Sequence, residues 1–154
     1  MVSLSFYHEP RPRWAVMGDL TWTRWTRFDE VRINPDDPAT PVNLLITQWG
    51  DTYRIAAGGH YEWSERLTLR SGLAYDEGAI ETTFRGPGIP DSDHYVVALG
   101  AGYRVRDNLT LDAAYQHLFY NDGATRRGSA TGSTLVGEFA INVDILSVGA
   151  TWRF

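Results

Sequence analysis

The sequence predicts an all-β fold: the wall of an antiparallel transmembrane β-barrel, seven strands in a single portion covering residues 1–154. Three observations carry this. Side chains alternate with period two almost throughout, as at the end, where Val148, Ala150, Trp152 and Phe154 are set against Ser147, Gly149, Thr151 and Arg153. That period gives a strand one greasy and one polar face. Connections alternate short and long, as brief turns and long external loops do in membrane barrels. Finally, 43% of residues are apolar, yet no apolar run approaches the ~18 residues of a membrane helix.

The elements follow in order. Val2, Leu4 and Phe6 alternate with Ser3, Ser5 and Tyr7 in a short first strand, and Glu9-Pro10-Arg11-Pro12 reads as a turn. A long strand is expected over Trp14–Phe28, with Trp14, Val16, Leu20 and Trp22 opposed to Asp19, Thr21 and Thr23. Residues 29–43, with three prolines, read as a loop. A strand from about Leu44 to Trp63 sets Tyr53, Ile55, Ala57 and Tyr61 against Thr52, Arg54, Ala56 and His60. After a turn at Ser64-Glu65, Leu67, Leu69, Leu73 and Tyr75 alternate with Thr68, Arg70, Gly72 and Asp76.

A second loop covers 78–92, rich in Gly and Pro. Tyr95, Val97, Leu99, Ala101 and Tyr103 then face away from His94, Ala98, Gly100, Gly102 and Arg104. Arg106-Asp107-Asn108 turns the chain into Leu109, Leu111, Ala113 and Tyr115, opposed to Thr110, Asp112, Ala114 and Gln116. A third loop covers about 121–133. The last strand is expected from Leu135 to Phe154, with a bulge between Asp144 and Ser147 where the period slips.

Period alone does not say which face meets water. Three features favour an apolar face turned outward to lipid. The polar face is crowded with small residues (Gly72, Ala74, Ala98, Gly100, Gly102, Ala114) rather than long charged ones. Aromatics gather near strand ends (Trp14, Trp22, Trp25, Trp49, Tyr61, Trp63, Tyr75, Tyr95, Tyr103, Tyr115), as in interfacial girdles. Polar-face charges have both signs: Asp19, Arg54, Arg70, Asp76, Arg104, Asp112 and Asp144. Inside a barrel such charges are expected to pair across strands, because an unpaired enclosed charge is costly. The formal net charge of −5 argues against a nucleic-acid partner. There is no cysteine.

Catalytic and metal constellations are weak. His8, His60, His94 and His117 lie on separate segments without ligand spacing. No Gly-x-Ser-x-Gly elbow occurs. Asp91-Ser92-Asp93 lacks the Gly and distal Glu of a calcium loop and reads as a turn. Arg126-Arg127 reads as a solvated pair, with contact to lipopolysaccharide phosphates the functional alternative. No cofactor, no metal and no enzymatic activity are expected. Arg54, Arg70 and Arg104 are expected to pair with Asp19, Asp76 and Asp112; the functional alternative is attraction of a carboxylate head, which guanidinium binds bidentately.

The terminal stretch resembles the signal of bacterial outer-membrane barrels, carried by Gly149, Trp152 and Phe154. Longer stretches resemble one family. Trp14–Phe28, Trp49–Tyr61, Leu67–Asp76 and Ile89–His94 are similar, in order, to segments of the FadL/TodX outer-membrane transport proteins, whose members often carry Arg where His94 stands. The resemblance implies a fourteen-stranded barrel of which this chain is the C-terminal half. It also implies a hatch with an Asn-Pro-Ala motif and a kinked early strand, and neither is in this sequence; Asn34-Pro35-Asp36 sits in a loop.

The expectation is therefore an outer-membrane, multi-pass β-barrel channel for long-chain fatty acids or other hydrophobic compounds, this chain being a truncated or partial member. Met1-Val2-Ser3-Leu4-Ser5-Phe6 does not read as a signal peptide, which agrees with a tail of a longer polypeptide. The lumen-facing candidates are Asp19, Arg54, Arg70, Asp76, Arg104 and Asp112. Expected partners are outer-membrane lipid and lipopolysaccharide, the barrel-assembly machinery, a hydrophobic small-molecule solute, and a second copy if the chain is complete. The alternative is a soluble β-sandwich or barrel acting as a binding or structural module without transport. The two differ in where Leu69, Leu99 and Leu111 lie: outward, or in a dry centre.

Overall fold

A computed structural model describes residues 1–27, 30–33, 43–46, 48–128 and 132–154. Its elements are β1 (Val2–Arg11), β2 (Trp14–Thr23), a 3-10 turn (Trp25–Arg27), β3 (Glu30–Ile33), β4 (Asn43–Ile46), β5 (Thr52–Glu62), β6 (Leu67–Asp76), β7 (His94–Arg106), β8 (Leu109–Tyr120), β9 (Gly123–Gly128), β10 (Thr134–Phe139) and β11 (Asn142–Trp152). Seven of them form one sheet in the order β1-β2-β5-β6-β7-β8-β11. Every neighbouring pair in it is antiparallel. The hairpins β3–β4 and β9–β10 stand in the long connections.

The seven expected strands are therefore present, with several boundaries corrected. The strand expected over Trp14–Phe28 ends at Thr23, and most of the turn expected at Glu9-Pro10-Arg11-Pro12 belongs to β1, which runs to Arg11. The strand expected over 44–63 is two elements: β4 pairs with β3, and the wall strand begins at Thr52. The strand expected over 135–154 also divides, since β10 pairs with β9 and β11 begins at Asn142. In each case the second strand of a hairpin reads as wall because it has the wall's period, while the first, β3 or β9, lies in a segment expected to be loop. The expected bulge between Asp144 and Ser147 is absent. β11 pairs with β8 without a break from Asn142 opposite Phe119 to Trp152 opposite Leu109. Register shifts occur instead at His8/Arg11 and Arg104/Arg106, both beside short turns. Phe28, the loop residues 34–42 and residues 129–131 lie outside the described residues.

Cross-strand register sorts the two faces. One row runs Leu20, Ile55, Tyr75, Tyr95, Phe119; another runs Leu69, Ala101, Ala113, Val148. These side chains are largely open: Leu99 is 59% exposed, Leu111 46% and Val148 82%. In water such a contiguous apolar face would be an interaction or aggregation surface. Buried apolar residues, among those described, are only Ala15, Ala79 and Ile80, so the wall has no dry core of its own. A sandwich would bury one of these faces against a second sheet.

Strand count has a geometrical consequence. With seven antiparallel strands, β1 and β11, the two edges, run in the same direction. Both lead from the long-loop end toward the short-turn end.

Candidate functional site: the inward wall and its loop cap

The second face of the sheet carries the small and charged residues and borders a hollow of about 780 Å³. Asp19, Arg54, Arg70 and Asp112 line it together with Gly58, Gly72, Ala74, Ala98 and Gly100. Small residues are what leave this volume empty: a longer side chain at any of them would project into it.

Register builds two ionic levels on this face. At the long-loop end, Thr21, Arg54, Asp76 and His94 lie in one row. Arg54 is directly opposite Asp76, and its Nε is 3.4 Å from the carboxylate. His94 Nε2 is 3.8 Å from the same oxygen, and its ring stacks on Tyr120 at 4.2 Å. Toward the short turns, Arg70 Nη1 donates to Asp112 Oδ1 at 2.7 Å. This second pair reaches from β6 to β8 across β7, which is possible because Gly102 stands between them. A Cβ there would lie 2.7 Å from Asp112 Oδ1 and 3.1 Å from Arg70 Nη2. Both pairs are half-open to the hollow, so each is worth no more than about 1 kcal/mol. Their role is to keep the charges neutralised rather than to hold the wall.

The expected pairing is thus realised for Arg54 with Asp76 and Arg70 with Asp112. It is not realised for Asp19 or Arg104. Asp19 stands opposite Ser5, so its carboxylate accepts hydrogen bonds from the hydroxyls of Ser3, Ser5 and Thr21 at 2.5, 2.7 and 2.7 Å. Arg104 stands opposite Thr110 and lines a separate cavity at the short-turn end. Asp144 is a further correction. With no bulge to flip it, it shares the outward face with Leu146 and Val148, directly opposite His117. Its Oδ1 accepts from Tyr115 Oη at 2.5 Å and lies 2.6 Å from His117 Nδ1.

Between the ionic levels the inward rows are mostly apolar, interrupted by Asp19, which stands opposite Ala56, and by Gln116. One runs Ala56, Ala74, Val96, Leu118, Val143 and the next Met17, Gly58, Gly72, Ala98, Gln116, Ile145. The sequence reading did not single out Met17, Val96, Leu118 or Ile145. The available signal was the break in alternation at Val96-Val97 and Leu118-Phe119, where apolar residues adjoin and both faces are therefore greasy.

The described residues of the long loops form a hydrogen-bonded cap over one end. Arg85 is its centre: Nε donates to the Asp91 carbonyl at 2.7 Å, Nη2 to Ile80 at 2.7 Å and Nη1 to Ala124 of β9 at 2.5 Å. Asp91 Oδ2 accepts from the Ala79 amide at 2.8 Å, and Asp93 accepts from the Gly78 amide at 2.9 Å and Tyr75 Oη at 3.0 Å. Ser92, 4% exposed, donates to the Asn121 carbonyl. The Asp91-Ser92-Asp93 segment therefore organises a turn, as its sequence suggested. Gly50 N–H donates to Ala79 at 2.8 Å, joining a third segment. Beside it, the Thr26 amide donates to Asp51 at 3.0 Å, and this bond holds the Asp51 carboxyl below its ordinary range. The buried Ala79, Ile80, Ser92 and Thr125 all belong to this cap.

Among the described residues no three His, Cys, Asp or Glu approach closely enough to hold a metal ion. At the chain's end, Gly149 lies on the inward face opposite Asp112, Trp152 is outward and 67% exposed, and Phe154 extends past β11.

Comparison with known proteins gives the same architecture. The sequence profile described as outer membrane protein transport protein (OMPP1/FadL/TodX) matches residues 1–154. A 47 kDa outer membrane protein of Pasteurella multocida is 35% identical over 115 residues, 75% of this chain and 26% of that protein. A long-chain fatty acid transport protein of Escherichia coli O6:H1 is 31% identical over 121 residues, 76% of this chain and 26% of that protein. The crystal structure of a Pseudomonas aeruginosa FadL homologue superposes with a TM-score of 0.89 at 28% identity, covering 97% of this chain and 34% of that one. The chain spans about a third or less of the length of these relatives. Its outward apolar face, its inward small and charged face and these matches have one reading: the chain is an outer-membrane β-barrel protein and belongs to the FadL/TodX family.

Proposed function

We propose that this chain forms part of the wall of an outer-membrane channel through which hydrophobic compounds pass, long-chain fatty acids among them. The observation that carries the reading is the largely apolar belt on the inward face, from Met17 through Ala74 and Val96 to Leu118, broken only by Asp19 at the β1 side and Gln116 on β8 and lying between two neutralised ionic levels. A water-filled polar pore has no use for such a belt, whereas a greasy solute gains on the order of 25 cal/mol per Å² of surface it withdraws from water. Passage is passive: the loop cap meets the solute, the belt guides it, and no bond is made or broken. The short turns and the C-terminus face the periplasm in this reading. The outward face meets lipid and lipopolysaccharide, and Gly149, Trp152 and Phe154 are read by the assembly machinery.

Closure of the wall requires strands at both edges, because open N–H and C=O groups in lipid cost several kcal/mol each. Two copies of this chain in one membrane orientation are the weaker solution. Because β1 and β11 run the same way, both seams between copies would be parallel, unlike every pairing within the sheet. Each edge fits a strand of the opposite sense, as a segment with an odd number of strands supplies at both its ends.

The test is uptake of labelled oleate by cells carrying the protein, with Ala74→Glu or Val96→Glu in the belt. Outer-membrane amount, measured by heat-modifiable migration, serves as the control. Uptake is expected to fall severalfold at constant amount. Unchanged uptake with either charge in the belt would refute the reading, and competition by aromatic hydrocarbons against oleate defines the solute class.

A further inference from the structure

Of the arginines at the short-turn mouth that the wall's own electrostatics leave without a carboxylate, two share one cavity. Arg54 and Arg70 have carboxylate partners, whereas among the described residues the side chains of Arg104 and Arg153 make no ion pair and no hydrogen bond. Both line one cavity of about 270 Å³, together with Asp107, Asn108, Thr110 and Thr151. All six lining residues are polar, in contrast to the apolar belt above.

We propose that this cavity is a docking site for an oxyanion, a carboxylate or phosphate head, at the periplasmic mouth of the lumen. The site is built rather than incidental. Arg104, Thr110 and Thr151 stand opposite one another in register, on the inward face, one level past Gly102, Asp112 and Gly149. The backbone around them is pinned from both sides: the Arg153 amide donates to the Asn108 carbonyl at 2.9 Å and the Arg104 amide to the Arg66 carbonyl at 2.8 Å. The register shift at Arg104/Arg106 fixes where β7 leaves the ladder, and such irregularities commonly re-aim a side chain.

Charge decides the sign of the guest. Two guanidiniums against the single carboxylate of Asp107 leave a net positive site. Guanidinium forks match carboxylate and phosphate oxygens bidentately, and the threonine hydroxyls and the Asn108 amide add neutral donors. The cavity takes a head group and not the tail attached to it, because its lining is mostly polar surface. The inference stands whether or not hydrophobic solutes cross the lumen above.

The test uses the protein assembled as a closed barrel in zwitterionic detergent micelles and labelled with 15N-arginine. The Nε resonances of Arg104 and Arg153 are assigned from Arg104→Gln and Arg153→Gln. Inorganic phosphate, acetate and octanoate are titrated against chloride at equal ionic strength. Both resonances are expected to move saturably with the oxyanions and not with chloride, while those of Arg66 and Arg106 stay still. Each Gln variant should weaken binding about tenfold, the loss of one charge-assisted contact, and Arg104→Lys should recover part of it. Octanoate binding more tightly than acetate assigns the site to the head of a passing amphiphile. Saturation only in nanodiscs of phosphatidylglycerol, and not of phosphatidylcholine, assigns it to a lipid head group; equal binding of all three soluble anions assigns it to free anions. Linear, unsaturable shifts, or equal shifts at Arg66 and Arg106, leave only solvated surface arginines and overturn the proposal. If a Gln variant also loses the native β-sheet signal, the measurement is read from Arg104→Lys, whose unaltered affinity for phosphate together with unmoved Arg153 would equally overturn it.

Discussion

Gly102→Ala tests whether the Arg70–Asp112 bridge depends on an empty position in β7. The added methyl would lie 2.7 Å from Asp112 Oδ1 and 3.1–3.2 Å from the Arg70 guanidinium nitrogens, well inside van der Waals contact. The carboxylate must turn aside, and the 2.7 Å hydrogen bond is lost. Because the side chains are 50% and 38% exposed, solvent screens the pair and its loss costs no more than about 1 kcal/mol. Replacing glycine by alanine within a strand returns roughly 0.5–1 kcal/mol of backbone entropy. The two nearly cancel, so the single variant should unfold within about 0.5 kcal/mol of the parent. The informative quantity is the coupling. In an Arg70→Met background the bridge is already gone, and Gly102→Ala should now stabilise by roughly 0.5–1 kcal/mol. Urea unfolding of the four proteins in micelles, followed by tryptophan fluorescence, measures it. A coupling of zero within about 0.3 kcal/mol would refute the idea that Gly102 makes room for the bridge.

Other outcomes follow from the same geometry. Arg85→Ala removes three hydrogen bonds from one guanidinium to the carbonyls of Ile80, Asp91 and Ala124. The segment between β6 and β7 should become a preferred site of limited proteolysis while micelle-bound β-sheet content stays constant, and continued resistance would contradict the assignment of Arg85 as the cap's centre. Asp51 gives a pH signature. Its carboxyl is held below the ordinary value of 3.8 by the Thr26 amide, so its contribution is present above that value and lost as pH falls through the lowered one. Relative to neighbouring amides, Thr26 should lose exchange protection only in that acid range, and Asp51→Asn, which still accepts a hydrogen bond, should remove the pH dependence. Finally, Phe154→Ala should slow assembly into the outer membrane by the cell's machinery without altering the folded spectrum in micelles; unchanged assembly kinetics would remove Phe154 from the signal.

How much of this was legible beforehand is clearest at particular residues. Period-two alternation was enough to place Leu20, Ile55, Leu99 and Leu111 on one face and Arg54, Arg70 and Asp112 on the other, because a strand's side-chain period is fixed by the backbone. The rhythm of short and long connections gave the antiparallel order, since tight turns can only join neighbours that reverse direction. The same rule failed at 44–63 and 135–154, where hairpins outside the wall share the wall's period. It failed at Asp144 because a charge among Leu146, Val148 and Trp152 looked like a slip in register. In the structure it stays in register and is satisfied instead by His117 and Tyr115.

What the sequence alone determined, then, is which residues can share a face. Which of them meet was decided by cross-strand register, a property of pairs of distant segments that no local pattern carries. Register set Arg54 opposite Asp76, gave Asp19 to hydroxyls, opened the gap at Gly102 for Arg70 to reach Asp112, and left Arg104 and Arg153 unpaired around a polar cavity. The cap held by Arg85 is likewise tertiary. Its hydrogen bonds run to backbone carbonyls, which every sequence offers and none advertises.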